Sequence, residues 1–273
     1  MILMCEVLEV SSSGYYKWRQ RRVSERMLRR VELLDLIIEV FSRSRETYGS
    51  PRVHRELEAL GVHVNEKTVA KIMREHGMVA RNRRPFKRTT DSKHELPIAL
   101  NILNREFEAQ EPDDVWVTDI TYIRSGTDWS YLCVFIDLYS RMIVGWSLEN
   151  TMPAELVITA FEQAIAKRGK APRLVHSDRG SQYASEDFRK VLAENKCTQS
   201  MSRKGNCWDN AVSESFFGIL KTEYVYHHKF ETEDQLRLSL FDYIEIFYNR
   251  QRRHSTLNYM TPEEKVQKGR KAA

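Results

Sequence analysis

Cysteine is scarce in this chain. Its four cysteines are Cys5, Cys133, Cys197 and Cys207, and they form no CxxC pair. A disulfide framework would need more cysteines, and the common zinc modules need closely spaced pairs of ligands. Neither is indicated, and we predict a protein of the reducing cytoplasm.

Long apolar runs are missing as well. No segment approaches the roughly 20 apolar residues that a membrane helix requires. The apolar start, Met1 to Met4, is soon interrupted by Glu6 and Glu9, and no basic residue precedes it. We therefore expect neither a secretory signal nor a membrane anchor.

Charge is distributed unevenly along the chain. Residues 1–100 contain 20 Lys and Arg against 13 Asp and Glu, whereas residues 101–273 contain 23 against 25. A basic excess confined to one part of a chain favours a polyanionic partner such as nucleic acid. The alternative is a helical surface that is simply well solvated.

The basic first third contains a helix-turn-helix pattern. Apolar residues at intervals of three and four predict an amphipathic helix from Glu25 to Phe41. Pro51 suits the first turn of a second helix that stops at Gly61, and Asn65 can cap a third helix that ends at Gly77. Short helices joined by a turn that contains glycine are typical of DNA-binding domains, although an ordinary helical hairpin would look the same.

Basic residues follow this pattern closely. The third helix would turn Lys67, Thr68, Lys71 and Arg74 outward, a mixture that can touch phosphates and base edges. The next segment is a predicted basic linker in which Arg83 and Arg84 are expected to contact DNA. Its cationic residues are Arg81, Arg83, Arg84, Lys87, Arg88 and Lys93.

From Val115 onward the hydrophobic period changes to two. Three antiparallel strands are predicted, followed by alternating helices and two more strands, at Arg173 to Ser177 and Cys197 to Met201. This order indicates an α/β domain in which helices flank a mixed five-stranded sheet.

Three acidic residues stand out against this pattern. Asp119 lies in the middle of the first strand among apolar neighbours, Asp178 lies at the end of the fourth strand, and Glu214 lies on a later helix. If they converge, their repulsion would be relieved by Mg²⁺, which prefers hard oxygen ligands. Two such ions could support displacement at phosphorus. The alternative is three unrelated acids with ordinary structural roles.

The spacing of these acids resembles that of the DDE integrase superfamily. There are 58 residues between Asp119 and Asp178 and 35 between Asp178 and Glu214, the latter an interval common in that superfamily. Local segments resemble the OrfB transposases of the insertion sequence 3 family over nearly the whole chain. These segments are Tyr48 to Arg52, Trp116 to Tyr122, His176 to Tyr183, Asn210 to Phe217, Leu220-Lys221, Tyr248 to Arg250, Arg253-His254 and Thr261 to Glu263.

The resemblance implies a fold, a site and a division of the chain. The sheet domain would be RNase H-like, preceded by an all-α helix-turn-helix domain. Asp119, Asp178 and Glu214 would hold two Mg²⁺ ions, which Mn²⁺ could replace, and Lys221 would meet the DNA end. The expected domains are an N-terminal arm (1–24), the helix-turn-helix domain (25–80), the basic linker (81–111), the integrase catalytic core (112–228) and a C-terminal helical extension (229–273).

Two further features receive more open interpretations. Residues 202–206 resemble the mobile active-site loop of the superfamily, which would bring Arg203 and Lys204 to DNA, but any exposed loop could have this composition. His176 shares the strand of Asp178 and could touch a metal, although a packing histidine is favoured.

The implied function is transposition. The enzyme would cut DNA at the terminal inverted repeats of its element and join the freed 3′-OH to target DNA. It would act as a homo-oligomer in the bacterial cytoplasm, associated with the nucleoid on DNA. An upstream OrfA-type partner or fusion segment is expected, since the chain contains no leucine heptads. The alternatives are a catalytically incomplete DNA-binding regulator and an RNase H-like nuclease.

Overall fold

The computed structural model describes residues 2–20, 23–81, 96–204 and 206–272. The chain divides into two compact units, Met1–Ala80 and Arg81–Ala273. Most of the predicted basic linker, including Arg83 and Arg84, lies outside the described residues. None of the described helices is long and apolar enough to cross a lipid bilayer.

The first unit is helical. Its helices are α1 (Ile2–Val7), α2 (Ser12–Arg19), α3 (Glu25–Arg43), α4 (Ser50–Ala59) and α5 (Glu66–Glu75). The C-terminal half of α3 packs on α4 and α5 around a small apolar core, whereas its N-terminal half leaves apolar side chains exposed. The core residues are Ile37, Val40, Tyr48, Val53, Leu57, Val69, Ile72 and Met73.

Local signals set the ends of α4 and α5, as the sequence predicts. Pro51 lies in the first turn of α4, and the side chain of Asn65 accepts a hydrogen bond of 2.8 Å from the backbone N–H of Lys67 at the start of α5. Gly61 and Gly77 follow the two helices with φ angles of 78° and 66°, which glycine adopts without strain. The two helices and their connection form the helix-turn-helix.

The second unit is built on five strands. These are β1 (Val115–Ser125), β2 (Asp128–Asp137), β3 (Ile143–Glu149), β4 (Leu174–Ser177) and β5 (Thr198–Met201). They form one sheet in the order β3-β2-β1-β4-β5. The pairs β1–β2 and β2–β3 are antiparallel, and the pairs β1–β4 and β4–β5 are parallel, so the sheet is mixed, as expected.

Helices cover both faces of this sheet. They are α6 (Ala154–Arg168), α7 (Ser181–Ala184), α8 (Glu186–Glu194), α9 (Ala211–Glu223), α10 (Glu233–Phe241) and α11 (Pro262–Ala272). On one face, α6 and α8 pack around Trp116, Phe135 and Phe161. On the other face, α9, α10 and a π-helical continuation, Asp242–Tyr248, pack on Val117, Val134 and Ile123. The C-terminal segment therefore shares a core with the sheet.

Candidate active site

Asp119 lies on the central strand of the sheet. It is paired with Val134 of β2, and on its other side β1 runs parallel to β4. The Asp119 Oδ1 atom accepts a hydrogen bond of 2.9 Å from the backbone N–H of Ile120. A charged group at such a position is costly unless a partner compensates its lost solvation.

Asp178 comes beside Asp119 through the parallel pairing. Val117 and His176 are register partners on β1 and β4, and each acid lies two residues further along its strand direction. The backbone N–H of Gly180 donates a hydrogen bond of 2.9 Å to Asp178 Oδ1, which fixes this side chain in the turn that leaves the sheet. The parallel pairing thus brings Asp119, within β1, close to Asp178, the residue that directly follows β4.

Glu214 reaches the same region from α9. It lies in the first turn of that helix and is exposed, while Phe216, Phe217 and Leu220 bury the opposite side of the helix against the sheet. Asp209, although it lies just before this helix, is not its N-cap. The N-cap residue is Asn210, which makes no side-chain capping bond, and a 3-10 turn, Cys207–Asn210, precedes it.

Asp119 interacts electrostatically with both of the other acids. Burial raises the pKa of Asp119 well above its usual range, and the negative charges of Asp178 and, more weakly, Glu214 raise it further. Lys221 opposes this effect from two turns further along α9. Such mutual repulsion is typical of carboxylates gathered at one site.

The chemistry of these donors fits a divalent cation. Carboxylate oxygens are the hard ligands that Mg²⁺ and Mn²⁺ take, and a cation would relieve the repulsion that raises the pKa of Asp119. Within the described ranges, however, no three His, Cys, Asp or Glu side chains are arranged to hold one metal ion.

Lys221 is a buried cation next to these acids. Its side chain is 5% exposed, and burial lowers its pKa to about 8, against the opposing effect of the Asp119 charge. Its Nζ atom lies 4.7 Å from the ring centroid of Tyr122, a cation–π contact.

His176 is a packing residue, as favoured from the sequence. Its Nε2 donates to the backbone oxygen of Asp209 at 2.9 Å, and its Nδ1 lies 2.8 Å from Ser200 Oγ. Both ring nitrogens are thus engaged. Burial lowers its pKa to about 4, so the ring is neutral near pH 7 and ties β4 to β5 and to the start of the α9 segment.

Three family models match the chain. An integrase core domain matches residues 109–207, an HTH-like domain matches residues 29–86, and a second integrase core model matches residues 195–262. The transposase InsF of insertion sequence IS3A from Escherichia coli (strain K12) is 42% identical over 265 residues, which cover 96% of this chain and 92% of that protein. This chain belongs to the insertion sequence 3 family of transposases. It is therefore a DDE polynucleotidyl transferase that binds DNA.

The chain is also similar to two further proteins. The 31 kDa protein of insertion element IS600 from Shigella sonnei is 42% identical over 261 residues, which cover 95% of this chain and 96% of that protein. A chain of the simian T-cell lymphotropic virus intasome, solved in complex with a PP2A regulatory subunit, shares the fold with a TM-score of 0.50. It is 19% identical, and the match covers 78% of the transposase and 70% of that chain. The predicted RNase H-like, integrase-type fold is thereby confirmed.

The predicted DNA contacts of the transposase lie in different surroundings. Lys67, Thr68, Lys71 and Arg74 are all exposed on α5 of the first unit. In the second unit, Lys204 is exposed on the loop before α9. Arg203, on the same loop, is also exposed but is engaged by Asp209. The DNA contacts of these residues remain predictions.

Sequence reasoning missed a polar cluster that shapes this loop. The carboxylate of Asp209 is fully buried and accepts hydrogen bonds from the side chains of Arg203, Arg105 and Asn101, each at 2.8 or 2.9 Å. The Arg203 guanidinium holds the pKa of Asp209 well below its usual range. Because an aspartate before a helix reads as an N-cap, the sequence carried no signal for this role.

A buried ion pair at the end of α9 was missed as well. Arg252 Nε and Nη2 donate to the two carboxylate oxygens of Glu223 at 2.7 and 2.6 Å, and both residues are buried. Tyr243 Oη donates a longer hydrogen bond, 3.4 Å, to the same carboxylate. This pair ties the helix that carries Glu214 and Lys221 to the C-terminal segment.

Proposed function

We propose that Asp119, Asp178 and Glu214 are the catalytic acids with which this transposase cleaves and joins DNA. The proposal is supported by the electrostatic interaction of Asp119 with the other two acids and by the parallel pairing of β1 and β4, which ends two residues before Asp119 and Asp178. Polynucleotidyl transfer requires carboxylates that gather positive charge around a scissile phosphate.

The metal that these acids would hold is Mg²⁺, with two ions in the active complex. The ions would supply an activated attacking oxygen and a stabilised leaving oxygen. Mn²⁺ is expected to replace Mg²⁺ because it accepts the same oxygen ligands, and Ca²⁺ is expected to support DNA binding without chemistry.

The protein's own side chains would position the substrate. Lys221 lies beside Asp119 and would bind a phosphate of the DNA end. Lys204 and Arg203 would contact DNA from the loop before α9. His176 would hold that loop and the end of β4 in place through its two hydrogen-bonded nitrogens, and so keep Asp178 in its position.

Recognition of the element's ends belongs to the first unit in this proposal. The exposed face of α5, with Lys67, Thr68, Lys71 and Arg74, would enter a major groove of the terminal inverted repeat. Arg83 and Arg84, which lie outside the described residues, would follow the phosphate backbone. The partners are then the inverted repeats, the target DNA, a second copy of the chain and an upstream OrfA-type segment. The place of action would be the bacterial nucleoid.

The test is a cleavage assay on labelled DNA that carries the terminal repeat. We expect Asp119→Asn and Asp178→Asn to lose cleavage in Mg²⁺ and in Mn²⁺ while they retain the gel shift of the same DNA. Asp187→Asn, an exposed acid of α8, is the matched control and should cleave normally. Binding without cleavage by the wild type would indicate a DNA-binding regulator, and cleavage without joining would indicate a nuclease.

A further inference from the structure

A cavity of about 760 Å³ opens between the β1–β2 hairpin and the segment that follows α9. Ligand pockets for small molecules typically have volumes of 300 to 1,000 Å³, so the space is sufficient for a nucleotide. The residues that give it its chemical character are Tyr122, Arg124, Trp129, Lys221, Tyr226 and Lys229.

The cavity is held open by a close backbone contact. The N–H of Gly126, at the hairpin turn, donates a hydrogen bond of 2.7 Å to the carbonyl oxygen of Phe230. Gly126 has a φ of 58°, and a Cβ atom there would lie 2.7 Å from the carbonyl oxygen of Glu231. The contact thus requires glycine, and it fixes the two walls relative to each other.

Aromatic side chains form an open platform in this cavity. Trp129 and Tyr226 are 48% and 50% exposed, although both are large and partly apolar. The rings of Trp129 and Tyr122 form a T-shaped contact, with centroids 5.0 Å apart and an interplanar angle of 86°. This contact fixes the orientation of the indole and leaves much of its surface open to a flat ligand.

The charge of the lining is mainly positive. Among the lining residues that the structure describes, Arg124, Lys221 and Lys229 are cationic and Glu231 is the one acid. Lys221 also interacts electrostatically with Asp119, so this one lysine belongs both to the cavity lining and to the surroundings of a proposed catalytic acid. Aromatic rings for stacking combined with cations for phosphate are the features with which proteins bind unpaired nucleotides.

We propose that this cavity binds an unpaired nucleobase at the end of the transposon DNA. The base stacks on Trp129, and its backbone phosphate lies between Lys221 and Arg124. Opening the last base pairs would give the scissile strand room to enter the site, and the captured base would keep the end open. This inference rests on the proposed binding of the DNA end at Lys221.

The test uses the full chain and a duplex of the terminal repeat that carries 2-aminopurine at its outermost positions. Stacking on an indole quenches this fluorophore, and fraying without stacking increases its emission. We expect quenching on binding by the wild type and a rise in emission with Trp129→Ala. Because stacking on one aromatic side chain changes affinity substantially, Trp129→Ala should bind a duplex with mismatched ends about tenfold more weakly.

Two further variants test whether the effect of Trp129→Ala arises from loss of folding. Trp129→Phe keeps a stacking surface and should restore most of the quenching. Phe241→Ala removes an aromatic side chain of similar exposure, 53%, that does not line the cavity, and it should behave as the wild type. Replacing the captured base by an abasic nucleotide should remove the difference between the wild type and Trp129→Ala.

The outcomes separate this inference from the proposed catalytic site. Asp119→Asn should lose cleavage and still quench the fluorophore, because the acid does not form the platform. If the wild type shows no quenching while its cleavage depends on Asp119, base capture is refuted and the catalytic assignment stands. If Trp129→Ala alters only the oligomeric state, the platform is a contact between copies of the chain and the inference is wrong.

Discussion

Asp119 on β1 and Asp178, the residue that directly follows β4, each lie two residues beyond a register pair of these parallel strands, Val117 and His176. This relationship brings together two acids that are separated by 58 residues of sequence. Because the position follows from backbone pairing, it does not depend on the orientation of flexible side chains. The third acid, Glu214, is positioned by α9 and by the contacts that hold both ends of that helix.

The carboxylate of Asp209 should stabilise the loop before α9. Asp209→Asn removes a buried charge that accepts hydrogen bonds from Arg203, Arg105 and Asn101. Charged hydrogen bonds contribute more than neutral ones, but both arginines are partly exposed, so we expect a loss of about 2 kcal/mol. Urea unfolding measures this loss of unfolding free energy, and Asp187→Asn, a substitution of an exposed acid, is the control. An unchanged midpoint would show that the cluster does not hold the loop.

The contribution of Asp209 should depend on pH in a defined direction. Its pKa in the folded state is depressed, chiefly by the Arg203 hydrogen bond. Its contribution is therefore complete above the ordinary aspartate pKa of about 4 and decreases as the pH falls toward the folded-state pKa. The difference in unfolding free energy between wild type and Asp209→Asn should be smaller at about pH 3 than at about pH 7. A difference that grows in acid would contradict this.

The pair of Glu223 and Arg252 should matter more for stability than any surface ion pair. Arg252→Met leaves the buried carboxylate without its charged partner, which typically costs about 3 to 5 kcal/mol. Adding Glu223→Gln removes the unpaired charge, so the double variant should recover part of the loss. A double-mutant cycle from urea unfolding measures the coupling, and purely additive effects would show that the two residues act independently.

The salt dependence of DNA binding tests the role of Lys221. Lys221→Met keeps the length of the side chain and removes its charge, so it should weaken binding of the terminal repeat. The slope of log K against log salt concentration should fall by about one phosphate contact. Lys190→Met, on the exposed face of α8, is the matched control. An unchanged slope would place Lys221 away from the DNA backbone.

Elements with local signals were predictable from the sequence. The alternation from Val115 identifies β1, and Asn65 and Gly77 mark the two ends of α5 at the positions that the structure gives. The 35-residue interval between Asp178 and Glu214, with the local segments, pointed to the family, which the relatives confirm. These features are encoded within a few residues or in a fixed spacing.

Interactions between distant segments were not predictable. Asp209 takes its partners Arg105 and Asn101 from about a hundred residues earlier, and no spacing rule links them. In the sequence, Arg252 is one of several cations in the C-terminal part of the chain. Only the structure shows that it is buried against Glu223. The cavity at Trp129 likewise arises only when the hairpin meets the segment after α9.

Strand transfer by Glu214→Gln on DNA ends that have already been cut tests the catalytic role of the three acids most directly. Pre-cut ends remove the cleavage step, and Glu186→Gln provides a matched exposed glutamate in the first turn of α8. We expect Glu214→Gln to join ends at least about a hundredfold more slowly in Mg²⁺ and in Mn²⁺ and to retain the DNA gel shift, while Glu186→Gln joins ends normally. Near wild-type joining by Glu214→Gln would contradict the assignment of the three acids.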